Sequence, residues 1–124
     1  MTATGHEDWG PGTVYQDWKS DGEIINPSAN EFLAVTGLIP PGFYDVVLWL
    51  SGPGAAVGVF QFIVRSTPGG VNLYSQIFRT RVDLSESVTI PGPLKIEENC
   101  VFWILARSAM TGTVQAAIIY RRVN

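Results

Sequence analysis

The sequence predicts an all-β protein: a jelly-roll β-sandwich preceded by an extended, irregular N-terminal arm. Seven segments alternate apolar and other side chains with the two-residue period of a strand. Pro- and Gly-rich breakers separate most of them, and no segment carries an apolar stripe at helical spacing. That many short strands in a chain of this length fit a sandwich or a closed barrel.

The arm comes first, over residues 1–30, and the sandwich domain follows over 31–124. In "MTATGHEDWGPGTVYQDWKSDGE", Trp9, Tyr15 and Trp18 stand among Gly, Pro and acids, a pattern too irregular for a helix. Large aromatics are unusual in a loosely held terminus. They are expected to act as anchors, with Asp8 and Asp17 supplying charge, in an arm that binds a partner. "EFLAVTG" then opens the sandwich, and "IPPG" at 39–42 breaks it. "FYDVVLWLS" puts Tyr44, Val46, Leu48 and Leu50 on one face, and Phe43, Asp45, Val47 and Trp49 on the other. After "SGPG", "VGVFQFIVRS" separates Phe60, Phe62 and Val64 from Val59, Gln61, Ile63 and Arg65. "TPGG" precedes "NLYSQIFRTRV"; "ESVTI" is closed by "PGP" at 91–93, read as a turn. "CVFWILARS" and "TVQAAIIYRRV" complete the set, with Thr111-Gly112 between them.

Two kinds of strand emerge. "VFQFIVR" has polar residues on one face, as in a sheet open to solvent. The strands at 43–50, 100–106 and 114–120 are apolar on both faces, so one face of each is left over once the core is filled. The leftover residues are Phe43, Val47 and Trp49; Val101, Trp103 and Leu105; Ala117 and Ile119. They are expected to line an interface between copies, the alternative being that the N-terminal segment folds back over them within one chain. Composition agrees: 46% hydrophobic and 15% charged residues in 124 leave more apolar surface than one small protomer hides.

Charge is divided unevenly. Residues 1–31 carry six acids against Lys19, while residues 32–124 carry seven basic and five acidic side chains. An acidic arm on a basic body points to a basic docking surface, on a neighbouring copy or another protein. Nucleic acid is not expected as a partner, since Arg121-Arg122 is too small a basic patch. Nor is a membrane, because "VVLWL" and "VFWILA" are far too short to span one. The first apolar run comes late and lacks a basic flank, so assembly inside a cell is expected.

Catalysis is not expected. His6 is the sole histidine, which leaves little for a zinc site or a Ser-His-Asp triad. Glu97-Glu98 in "KIEENC" reads as a charged turn, and "SDGE" at 20–23 is a fragment of a calcium-loop pattern best read as a turn. "GPGAAVG" and "TPGG" lack the helix and Lys of a phosphate loop. Cys100, in an apolar run, is expected to be a buried inert thiol. No cofactor or metal is implied.

Taken together, "PPGFYDVVLWLS", "GVFQFIVR", "SVTIPGPLKIEENCVFWILARS" and "TVQAAIIYRRV" resemble the strand pattern of C1q and tumour-necrosis-factor-like jelly rolls. The positions that carry the likeness are Pro41, Gly42, Tyr44, Leu94, Ile96, Glu97, Val101, Trp103 and the 114–120 strand; Glu98-Asn99 replaces the family's glycine–acid pair. The resemblance implies a compact homotrimer with the doubly apolar strands in one inner sheet. Jelly rolls of this size with an N-terminal arm are also similar to phage virion proteins, by analogy of fold. The expected function is then that of a non-enzymatic capsid cement or decoration protein. It would bind a major capsid or other lattice protein on the virion exterior. The alternative is a trimeric receptor- or carbohydrate-binding module of the head-fibre or tail-tip type.

Overall fold

The computed structural model describes residues 14–17, 24–52, 57–81 and 86–123. Nine strands follow in chain order: β1 (Val14–Asp17), β2 (Ile24–Ile25), β3 (Phe32–Val35), β4 (Gly42–Ser51), β5 (Val57–Ser66), β6 (Asn72–Arg81), β7 (Glu86–Ile96), β8 (Cys100–Ala106) and β9 (Thr113–Arg122). One antiparallel sheet runs β1-β9-β4-β7, with β2 also paired to β9; the other runs β3-β8-β5-β6. From β2 onward the chain changes sheet at every connection except the β5–β6 hairpin. This is the jelly-roll sandwich that the alternation and breakers predict.

Alternation fills the space between the sheets. Tyr44, Val46, Leu48 and Leu50 from β4 meet Phe60, Phe62 and Val64 from β5, all buried. At the centre Phe102 of β8 packs edge-on against Tyr44, Phe62 and Tyr120, with ring centroids 6.2, 5.6 and 5.7 Å apart. Such offset arrangements add to burial because the ring edge is positive and the face negative. The Tyr44 hydroxyl, buried with its ring, donates to the Pro40 carbonyl at 2.6 Å, so its burial leaves no orphan donor. The β5–β6 hairpin turns at Gly70, where φ is +71°, a conformation that favours glycine. There the Gly70 N–H donates to the Ser66 carbonyl at 2.8 Å.

Three details depart from the sequence reading. "PGP" at 91–93 is no turn: β7 continues through it to Ile96. β7 lies at the sheet edge, where proline's missing N–H is tolerated. The register skips from Tyr44↔Leu94 to Val46↔Ile90, so the extra residues are absorbed as a bulge opposite Asp45. Second, the doubly apolar strands do not share one inner sheet. β4 and β9 belong to the first sheet and β8 to the second, because the jelly-roll connections from β7 to β8 and β8 to β9 each cross the sandwich.

Third, the region read as an arm contributes strands to the chain's own sandwich. β1 pairs with β9, Tyr15 opposite Tyr120 and Asp17 opposite Ile118. β2 pairs with β9 at Val114 and Thr113, and Ile24 joins the core. Residues 26–30 are held by backbone bonds: Asn26 N–H to the Gly112 carbonyl at 2.7 Å, Met110 N–H to Pro27 at 2.9 Å, and Asn30 N–H to Ala106 at 2.6 Å. Asn26, at φ +48°, also accepts the Gly112 N–H on its side-chain oxygen at 2.7 Å. Asn is the non-glycine residue best suited to that backbone region. Asp8, Trp9 and Trp18 lie outside the described residues.

Candidate functional site

The eight residues expected to form one interface fall on two opposite outer faces. Phe43, Val47 and Trp49 of β4 share the outer face of the first sheet with Ala117 and Ile119 of β9. Trp49 lies opposite Ala117, and Val47 opposite Ile119. Val101, Trp103 and Leu105 of β8 point outward from the second sheet, aligned with Arg65, Ile63 and Gln61 of β5.

The first face is largely satisfied within the chain. Phe43, Val47, Trp49 and Ile119 are each half-buried, and Ala117 is fully buried. Its central charges cancel: Arg121 Nη2 donates to Asp45 Oδ2 at 2.7 Å. Beside that pair, where the β7 bulge parts from β4, a cleft of about 480 Å³ lies among Val47, Thr89, Pro91, Gly92 and Ile119.

On the second face Ile63 and Leu105 are buried, Val101, Trp103 and Arg65 are half-buried, and the charged side chains on its strands are all cationic. Trp103 packs on Phe32 of β3, centroids 4.7 Å apart, and the Arg65 guanidinium carbon sits 4.6 Å from the centre of its ring. Strand register places these groups together: Phe32 pairs with Leu105, and Ile63 pairs with Trp103. Around them lies a depression of about 390 Å³ bordered by Asn30, Asn72 and Arg107. Arg65 Nε donates to Asn72 Oδ1 at 3.0 Å, and Arg107 Nη1 to Asn30 Oδ1 at 3.3 Å. These bonds aim each guanidinium while leaving its other N–H groups available. Gln61 donates from Nε2 to Ser75 Oγ at 2.6 Å on the same face. Phe32 is 39% exposed, and Ile77 on β6 is 57% exposed. Strands β3, β5, β6 and β8 carry no Asp or Glu, and among the described residues Arg65, Arg79 and Arg107 enter no ion pair.

Such a surface can hold a flat apolar or aromatic group against Trp103 while the arginines take carboxylates or other acceptors. Sequence reading found Trp103 but missed Phe32, Arg65, Arg107, Asn30 and Asn72 as its companions. Alternation had put Gln61, Ile63 and Arg65 on one face; the cross-strand register that brings them to Trp103 was not legible.

The other chemistry is sparse. Cys100 is buried, and burial, with the nearby Glu98 carboxylate adding to it, pushes its thiol up to about 12. Among the described residues no group of three His, Cys, Asp or Glu side chains is placed to hold a metal ion. No helix among them is long and apolar enough to cross a membrane.

No family model and no curated protein sequence matches the chain. Among solved structures it is similar to an arabinose-bound MgGH51 α-L-arabinofuranosidase, at 15% identity and a TM-score of 0.50, over 81% of this chain and 18% of that one. It also matches a glycosylation-associated protein (Gap123) complex from Streptococcus agalactiae, at 12% identity and a TM-score of 0.46, over 90% of this chain and 26% of that one. The chain thus spans less than a third of either protein. At such identities the likeness is one of β-sandwich fold alone.

Proposed function

We propose that this protein is a non-catalytic docking module that binds and stabilises a protein lattice, in the manner of a capsid cement or decoration protein on a virion exterior. The observation that carries the reading is the face around Trp103. It offers an aromatic pair, a rim of arginines and asparagines, and no carboxylate on its strands. Aromatic and arginine side chains dominate interface energetics, and an unpaired set of cations selects acidic partners. The likeness to C1q and tumour-necrosis-factor-like jelly rolls favours a homotrimer as the docking unit.

Co-sedimentation with the assembled shells of a candidate lattice protein tests it. Saturable binding is expected, weakened roughly 30-fold by Trp103→Ala, the factor that corresponds to about 2 kcal/mol for a buried interface aromatic. Failure to co-sediment, with unchanged sedimentation of the protein, contradicts the reading. A second reading, a carbohydrate- or receptor-binding module, is favoured by the same depression, since an indole beside Asn, Gln and Arg side chains also suits a sugar ring. A glycan screen yielding a ligand sensitive to Trp103→Ala, with no shell binding, would establish that alternative instead.

A further inference from the structure

Resting on the docking reading of this face, we propose that in the free protein the depression around Trp103 takes the Glu7-Asp8-Trp9 segment of a second copy of the chain, a contact that lattice docking would replace. The protein then associates head to tail, each copy handing its N-terminal segment to the next.

Charge complementarity comes first. Residues 1–23 hold Glu7, Asp8, Asp17, Asp21 and Glu23 against Lys19, while the face bears Arg65, Arg79 and Arg107 with no acid on its strands. Glu7 and Asp8 directly precede Trp9. In the depression Phe32 and the Arg65 guanidinium both pack on Trp103, and Arg107 stands at the border. The Trp9 indole lies against the exposed Phe32 of this group, and the carboxylates of Glu7 and Asp8 meet Arg65 and Arg107, which enter no ion pair among the described residues. Charged hydrogen bonds of this kind are the stronger ones and favour arginine.

Chain length argues for a second copy over the same one. Trp9 is five residues before Val14, where β1 begins on β9 of the opposite sheet. Five extended residues span at most about 17 Å. A path to the chain's own depression must cross the sheet spacing of about 10 Å and then round β3, which packs over β9. A neighbouring copy demands no such detour. A contact between two different surfaces repeats from copy to copy, and closes into a ring where the rotation allows.

The test is charge reversal on the full-length chain, followed by sedimentation velocity at low salt. Arg65→Glu/Arg107→Glu and Glu7→Arg/Asp8→Arg are each expected to self-associate at least about tenfold more weakly than wild type, because like charges then face one another. Mixing the two variants in equal amounts is expected to restore association, since the basic segment of one fits the acidic face of the other. Recovery on mixing also shows that both variants are folded. In a second arm, excess synthetic peptide of residues 1–13 is expected to dissociate the wild-type assembly. A wild-type monomer, a mixture no better than its components, or an assembly indifferent to the peptide overturns the second-copy occupant. No shell is present in these measurements, so their failure leaves lattice binding to its own assay.

Discussion

The two outer faces of the sandwich look alike in sequence and differ in structure. Each is built on strands apolar on both sides. On the β9-β4-β7 face, Trp49 stands opposite the fully buried Ala117, Val47 opposite Ile119, and Asp45 pairs with Arg121. On the β3-β8-β5-β6 face, Ile63 and Leu105 are buried but Phe32 and Ile77 are exposed, and among the described residues Arg65, Arg79 and Arg107 enter no ion pair. The difference teaches that an apolar outer face is not by itself an interface. What separates the two is whether the face's charges and apolar groups find partners inside the chain.

The sharpest way to break the comparison is a buried charge. Ile119→Glu is expected to cost about 3 kcal/mol or more in urea denaturation, because the carboxylate enters a half-buried site where Arg121, on the same strand face, is already paired with Asp45. Ile77→Glu on the other face is expected to stay within about 0.5 kcal/mol, as for a surface substitution. Equal costs at the two positions would erase the distinction.

Next in size is the linked titration of Cys100. Its folded pKa, near 12, lies above the ordinary thiol value of 9.0, so the thiol's contribution to stability is full below pH 9 and is lost as pH rises towards 12. At pH 10.5 that loss is about 2 kcal/mol relative to Cys100→Ala, at about 1.4 kcal/mol per pH unit. Stability curves of the two proteins that stay parallel from pH 8 to pH 11 would contradict the assigned cause, burial of the thiol.

A smaller effect is expected from salt. Self-association through the arginine face should weaken on going from about 0.05 to 0.5 M salt, since exposed charges are screened over a shortening Debye length. Stability of the single sandwich should hardly change over the same range, because its core is apolar. Salt-independent association would shift the contact onto aromatics alone.

Much of the fold was legible because a strand's period is local. The alternation in "FYDVVLWLS" separates the core set from the outward set without reference to any other strand. What escaped depends on partners distant in sequence. Pro91-Gly92-Pro93 reads as a turn until β7 is known to be an edge, and two residues at Ile24–Ile25 are too few to announce a strand. Trp103 stood out as an outward aromatic. Its companions Phe32 and Arg65 are 71 and 38 residues away, and only the β3-β8-β5 register unites them. The division of the eight outward residues between two faces escaped for the same reason, since sheet membership is set by connections that cross the sandwich.

Hydroxyl-radical footprinting of the full-length protein, assembled and then dissociated by dilution, compares the two faces in a single experiment. Phe32, Ile77 and Trp103 are expected to lose reactivity on assembly, while Phe43 and Trp49 react equally in both states. Protection of Phe43 and Trp49, with Phe32 and Trp103 unchanged, would place the interface on the opposite face and contradict the assignment.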